Sequence, residues 1–343
     1  MLNLLRRWFK KKIVARLPAI PRPRSPSRFV AARFTELHAE TLVKRGPRPA
    51  LDYRLYLPSG SLRRHSLPLI VMLHGCRQDP LSFAEGTRMN ERAEDGRYAV
   101  LYPEQSTRSN PMRCWNWFET ASIAGHGEAA LIARLIGQIT RRRRIDPRRV
   151  YLVGMSAGGA MACLLAVRHS RLFAACAIHS GVMYGVANSP MQAVTVMQSG
   201  PSPASIDKAR RLLRETGDSE VTVPTLVIHG DRDATVNPVN AEQIIVQLKE
   251  RTEFIDPSLG ELLASGEQLI DHGGHAYRQQ DYTRQGRSIL RKILVQGLGH
   301  AWSGGDSRYE FNDAGGPDAT QLILDFVMPH RREAAAGERY ANG

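Results

Sequence analysis

The chain has 343 residues, 42% hydrophobic and 23% charged. This composition excludes a disordered, collagenous or coiled-coil protein and fits one large domain with a short appendage. The formal charge of +14 is concentrated, because residues 1–46 hold 12 Lys/Arg against 2 Asp/Glu and so carry +10, which leaves +4 for the remainder. The body therefore makes no electrostatic case for a nucleic-acid partner, and no run approaches the roughly 18 apolar residues of a membrane-spanning helix.

Residues 2–17 (LNLLRRWFKKKIVARL) place Leu2, Leu5, Trp8, Phe9, Ile13 and Leu17 near helical spacing with Arg and Lys between them. That pattern predicts a basic amphipathic helix, of the kind that lies on anionic lipid surfaces. Charges break every apolar run, so a secretory signal is not expected and the localisation predicted is cytoplasmic. The prolines and arginines of 18–28 (PAIPRPRSPSR) predict an extended linker, completing an arm over 1–46.

Residues 51–57 (LDYRLYL) alternate like a half-exposed strand, and 68–73 (PLIVML) form a continuous apolar run ending in His74-Gly75, the mark of a buried parallel strand. A helix is predicted over 84–95, a strand over 98–102, a helix over 127–144, a strand over 149–153 and a helix over 157–169. Further strands are predicted over 173–178, 224–228 and 291–295, with helices over 238–251 and 317–328. Residues 181–222 lack a clear period and read as a cap over the sheet's edge, while 254–290 yield no clear element. The alternation specifies an α/β protein with a mostly parallel central sheet and helices on both faces. One catalytic domain is expected over 47–330, followed by a disordered tail over 331–343.

In such sheets chemistry gathers at the carboxyl ends of the strands. After strand 149–153 come Gly154-Met155-Ser156-Ala157-Gly158, a G-x-S-x-G turn between strand and helix that makes Ser156 the candidate nucleophile. A serine hydroxyl needs an imidazole to take its proton and a carboxylate to hold that imidazole's tautomer. Strand 224–228 is followed by His229-Gly230-Asp231-Arg232-Asp233, where Asp233 is chosen as the carboxylate and Asp231 is read as fixing the turn. The glycine-rich loop after 291–295 carries His300, the candidate base, and His74, His179 and His229 also end strands. Two backbone N–H groups should hold a developing oxyanion, one from Ala157 and one from Cys76 in the loop after the early strand. Trp115, Trp117, Trp302 and His74 are expected to line the pocket. The four cysteines are too few for a disulfide scaffold and lack metal-site spacing, and neither a metal nor an organic cofactor is expected.

Leu73-His74-Gly75-Cys76, Cys114-Trp115-Asn116-Trp117-Phe118, Asp146-Pro147-Arg148-Arg149-Val150-Tyr151, Gly154–Ala160 and Gly299-His300-Ala301-Trp302 resemble the polyhydroxybutyrate depolymerase family of esterases, which neighbours feruloyl and acetylxylan esterases. The resemblance runs from about residue 50 to 328. It implies an α/β-hydrolase that cleaves esters of short hydroxyacids through an acyl-enzyme, with Ser156, Asp233 and His300 on the catalytic positions. A polyester or small ester substrate is implied, and an anionic lipid or polymer-granule surface would suit residues 2–17. In secreted relatives cysteines near these motifs can be bridged; for Cys76 and Cys114 a cytoplasmic location favours reduced thiols. The rivals are a feruloyl or acetylxylan esterase, a serine peptidase of the same fold and a non-catalytic surface-binding protein.

Overall fold

The computed structural model describes residues 28–35, 50–60, 66–216, 221–271 and 273–333. The predicted amphipathic helix at 2–17, the start of the linker and residues 334–343 of the expected tail lie outside the described residues.

Apolar runs bounded by turns become strands because every second side chain of a strand faces the same way, and a run apolar throughout can be buried on both faces. In β3 (Leu67–Leu73) the side chains of Leu69, Val71 and Leu73 enter one core, while Ile70 and Met72 enter the other. β4 (Ala99–Glu104) and β5 (Ile145–Met155) divide in the same way, Leu101 and Leu152 to one side, Val100 and Val153 to the other. The first core is roofed by α3 (Thr120–Ile123), α4 (Gly127–Arg142), α5 (Ala157–Arg168) and α8 (Val239–Ile255). The second is closed by α1 (Pro80–Thr87), α2 (Met89–Gly96) and α9 (Ala319–Val327).

With β1 (Arg28–Thr35), β2 (Ala50–Leu57), β6 (Ala175–His179), β7 (Thr225–Gly230), β8 (Leu263–Ala264), β10 (Tyr277–Arg284) and β11 (Arg287–Val295), the sheet order is β1-β2-β4-β3-β5-β6-β7-β11-β10-β8. β9 (Gln268–Ile270) also pairs with β10. The centre from β4 to β11 is parallel, and both margins are antiparallel.

Four expectations change. The sheet begins before residue 47, because Arg28–Thr35 pairs in full register with β2 and Phe29 packs edge-on against Tyr56 and Tyr102. The helix predicted over 84–95 is two helices, broken where Arg88 takes a left-handed φ of 53°; the first starts earlier, capped by Asp79, whose side chain accepts from Leu81 N and Ser82 N. Within 181–222, α6 (Pro190–Ser199) and α7 (Pro203–Arg214) lie against α8. Arg210 pairs with Glu250, Gln247 Oε1 accepts from Tyr184 N, and Asn240 donates to the Val196 carbonyl. Residues 254–290 supply β8 and β9, too short to show a period, and β10, whose polar, half-exposed sequence YRQQDYTR carries no apolar alternation.

Candidate active site

The turn from β5 to α5 is built by sterics. A Cβ at Gly154 would collide with the Gly158 carbonyl, and one at Gly158 with the Leu73 carbonyl, so both positions exclude a side chain. Ser156 is left at φ 57°, ψ −122°, a strained conformation held from both sides. Its N–H donates to the His179 carbonyl at 2.9 Å, and its carbonyl accepts from Ala160 N. The hydroxyl stands at the N-terminus of α5, where the helix dipole favours negative charge.

Three strand ends converge on that hydroxyl. His300 Nε2 lies 3.0 Å from Ser156 Oγ, and His300 Nδ1 lies 2.7 Å from Asp233 Oδ2. In this arrangement Nδ1–H donates to the carboxylate, which leaves Nε2 to accept the serine proton. Asp233 Oδ1 accepts from the N–H groups of Thr235 and Val236 at 2.9 and 2.8 Å. Burial opposes ionisation of Asp233, but hydrogen bonds from His229, His300 and the Val236 N–H outweigh it and hold the carboxyl far below the usual carboxylate range. Asp231 does different work: its Oδ1 accepts from Gly297 N at 2.7 Å and ties down the loop that carries His300.

The opposite side of the serine is the loop after β3. A Cβ on Gly75 would sit 3.3 Å from Ser156 Cβ, so this backbone passes close to the nucleophile. Gly75 N donates to Gln78 Oε1, Arg77 N to the Met112 carbonyl and Gln78 N to the Gly75 carbonyl. Cys76 N–H is thus the donor of this stretch left without a protein acceptor among the described residues. Ala157 is the first residue of α5, whose opening N–H groups have no intrahelical partner. Ala157 follows the serine directly, and Cys76 follows Gly75, whose backbone passes close to Ser156.

Cys76 and Cys114 form a disulfide, contrary to the expectation of reduced thiols, while Cys163 and Cys176 are buried and free. The pocket-lining expectation also changes. His74 is 1% exposed, its Nδ1–H donating to the Gly75 carbonyl and its Nε2 accepting from Gln105 N. Burial holds it neutral, lowered to about 4. Trp115 is fully buried and donates through Nε1 to the His74 carbonyl, Trp117 packs edge-on against Phe118, and Trp302 stacks on His179 at 5.1 Å and donates to Thr320 Oγ1. These side chains brace the loops from behind, because large aromatics beside apolar strands gain more from the core than from water. Sequence reading missed Phe311, whose ring stands edge-on to His300 with centroids 6.2 Å apart, and Arg77, which lies over Phe311 and pairs with Glu310 at 3.0 Å. No periodic segment contains Phe311, so nothing local signals it. Among the described residues no group of three or more His, Cys, Asp or Glu could hold a metal ion.

A nucleophile elbow on a central parallel strand, followed in chain order by Asp and His on later strand ends, defines an α/β-hydrolase. The chain belongs to the Esterase PHB depolymerase family, whose profile matches residues 51–267. It is 33% identical over 228 residues to poly(3-hydroxyalkanoate) depolymerase C of Paucimonas lemoignei, covering 64% of this chain and 53% of that one. To feruloyl esterase B of Thermothelomyces thermophilus it is 28% identical over 191 residues, 52% and 64% of the two chains. To poly(3-hydroxybutyrate) depolymerase of Ralstonia pickettii it is 24% identical over 291 residues, 78% and 55%. The chain thus spans about half to two thirds of the length of these relatives. The solved acetyl xylan esterase of Aspergillus awamori shares the fold with a TM-score of 0.62 at 18% identity, covering 79% of this chain and 94% of that one.

Proposed function

We propose that this protein is a serine esterase that hydrolyses esters of short hydroxyacids, poly(3-hydroxybutyrate) or its oligomers in particular, through an acyl-enzyme. The observation that carries the reading is the continuous chain from Ser156 Oγ through His300 to Asp233, at 3.0 and 2.7 Å. His300 takes the serine proton as Oγ attacks the ester carbonyl. The N–H groups of Cys76 and Ala157 hold the oxyanion, and His300 returns the proton to the leaving alcohol. Water activated by the same imidazole then releases the acid. Asp233 stays ionised throughout and stabilises the imidazolium.

Family membership and the depolymerase relatives support the polyester; the feruloyl esterase relative favours an aromatic acyl group as the second reading. Release of soluble 3-hydroxybutyrate from amorphous polyhydroxybutyrate granules tests both, with methyl ferulate alongside and Ser156→Ala as control. Granule hydrolysis lost in the variant supports the polyester. Intact granules with cleaved methyl ferulate move the assignment to the second reading.

The Cys76–Cys114 bridge favours an oxidising compartment over the cytoplasm. Thiol titration of the denatured, unreduced protein is expected to count two free thiols; four would return the chain to a reducing compartment. Residues 2–17 would hold the enzyme on an anionic surface, which deletion of residues 1–28 tests: unchanged partitioning onto anionic vesicles removes that role.

A further inference from the structure

Behind the oxyanion loop, three segments distant in sequence meet at one carboxylate. Glu128 stands in the first turn of α4, and its side chain turns inward. Oε2 accepts from Asn116 N at 2.7 Å, and Oε1 accepts from Gln105 Nε2 at 2.5 Å. The same Gln105 amide donates to the Cys114 carbonyl at 3.0 Å, while Gln105 N donates to His74 Nε2 at 3.2 Å. His74 in turn donates through Nδ1 to the Gly75 carbonyl at 2.8 Å, and its own carbonyl accepts from Trp115 Nε1 at 3.0 Å. Cys114 is bonded to Cys76. Every residue from Cys114 to Asn116 is thereby anchored: Cys114 directly to Cys76, Trp115 to Gly75 through His74, and Asn116 to Gly75 through Glu128, Gln105 and His74.

We propose that Glu128 is a positioning residue: its carboxylate, bridging Asn116 N–H and the Gln105 side chain, sets the place of the Cys76 N–H that receives the oxyanion. The inference rests on the esterase reading above. Its physical basis is the accuracy such a donor needs, about 2.7–3.1 Å from where the oxyanion forms rather than from the ground-state carbonyl. A disulfide alone leaves rotation about its side-chain bonds. A carboxylate with two acceptor oxygens facing two N–H donors removes that freedom, and charge-assisted bonds of this kind are shorter and stronger than neutral ones. Burial, with a smaller push from the charge of Glu119, raises the Glu128 carboxyl to about 7 against the lowering effect of the bonds from Asn116 and Gln105.

The test uses p-nitrophenyl butyrate and the full-length chain. Glu128→Gln keeps the shape but presents an amide N–H to one of the two donors. Its kcat is expected to fall about tenfold to a hundredfold, a fraction of the 10²–10³ that loss of an oxyanion donor costs, with KM within threefold of wild type. That split marks an interaction made only in the transition state, whereas general loosening would also move KM. Glu128→Asp, which keeps one charged bond, is expected to fall between the two. Should Glu128→Gln not fold, Gln105→Ala gives the same readout from the other end of the bridge. In the double variant the two losses should be less than additive, as for residues in one network. A folded Glu128→Gln with kcat within twofold of wild type, or with KM raised and kcat unchanged, overturns the proposal. A wild type that cleaves no ester overturns instead the reading on which it rests.

Discussion

The two walls of the site are held in place by different means. On the nucleophile side a five-residue turn carries the serine, and its glycines at 154 and 158 admit no Cβ against the Gly158 and Leu73 carbonyls. On the oxyanion side the position of Cys76 follows from partners far along the chain, at Gln105, Cys114 and Glu128. The first wall is written in a local motif and fails as a whole when one residue changes. The second is a network whose parts can be removed singly, and each removal should cost a fraction of the rate.

Measurements that break or sharpen this contrast differ in size. Ser156→Ala should lower kcat on p-nitrophenyl butyrate by about 10⁴-fold or more, by analogy with other triads; a variant keeping a tenth of its rate would end the nucleophile assignment. Asp233→Asn, which leaves the geometry but favours the wrong tautomer of His300, should cost about 10³- to 10⁴-fold. Asp231→Asn should cost far less, because that carboxylate holds a loop and no reacting group; equal losses at the two positions would reverse the choice between the acids.

Removing the bridge as Cys76→Ser with Cys114→Ser should lower stability by up to about 4 kcal/mol in the loop-entropy account, given a sequence separation of 38 residues. The denaturant midpoint reads this, and a midpoint shared with wild type would show that the hydrogen-bonded network alone holds the loop. The smallest effect is in pH. Burial lowers His74 to about 4 and His179 to about 3, so both stay neutral in the fold while unfolded imidazole binds a proton below about 6.5. Their stabilisation is complete above that pH and is lost toward 4, at about 1.4 kcal/mol per pH unit for each. Glu128, raised to about 7, works in the opposite sense between about 4.5 and 7. These three together give a net loss of about one histidine's worth per unit on acidification from 6.5 to 4.5, to which His330, also lowered by burial, adds in the same direction, and the whole is seen as a falling Tm. A flat profile would mean that one of the two histidines is not held neutral.

Legibility in the sequence divides along the same line. The central strands could be read because burial on both faces demands continuous apolar runs, as in PLIVML. The elbow could be read because its two glycines stand in a five-residue motif, although the carbonyl that excludes a side chain at Gly158 belongs to Leu73. Of the antiparallel margins only β2 could be read, through the alternation in LDYRLYL: β8 and β9 have two and three residues, β10 is polar, and β1 sits next to an arginine-rich linker whose composition suggests no sheet. The tryptophans of the motifs are buried where the sequence puts them at the pocket, since a motif does not say which side of a loop an indole takes.

By itself the sequence determined an α/β order of strands and helices, a serine on a strand-to-helix turn, and an acid and a histidine on later strand ends. Each depends on periodicity or on the conformation of adjacent residues, and such information is carried by neighbours. Only the tertiary structure decided the pairing of Cys76 with Cys114, the retreat of His74 and Trp302 into the core, and the meeting of Asn116, Gln105 and Glu128. Those depend on how segments tens of residues apart pack, and a hydrogen bond closed across a fold leaves no period in the chain.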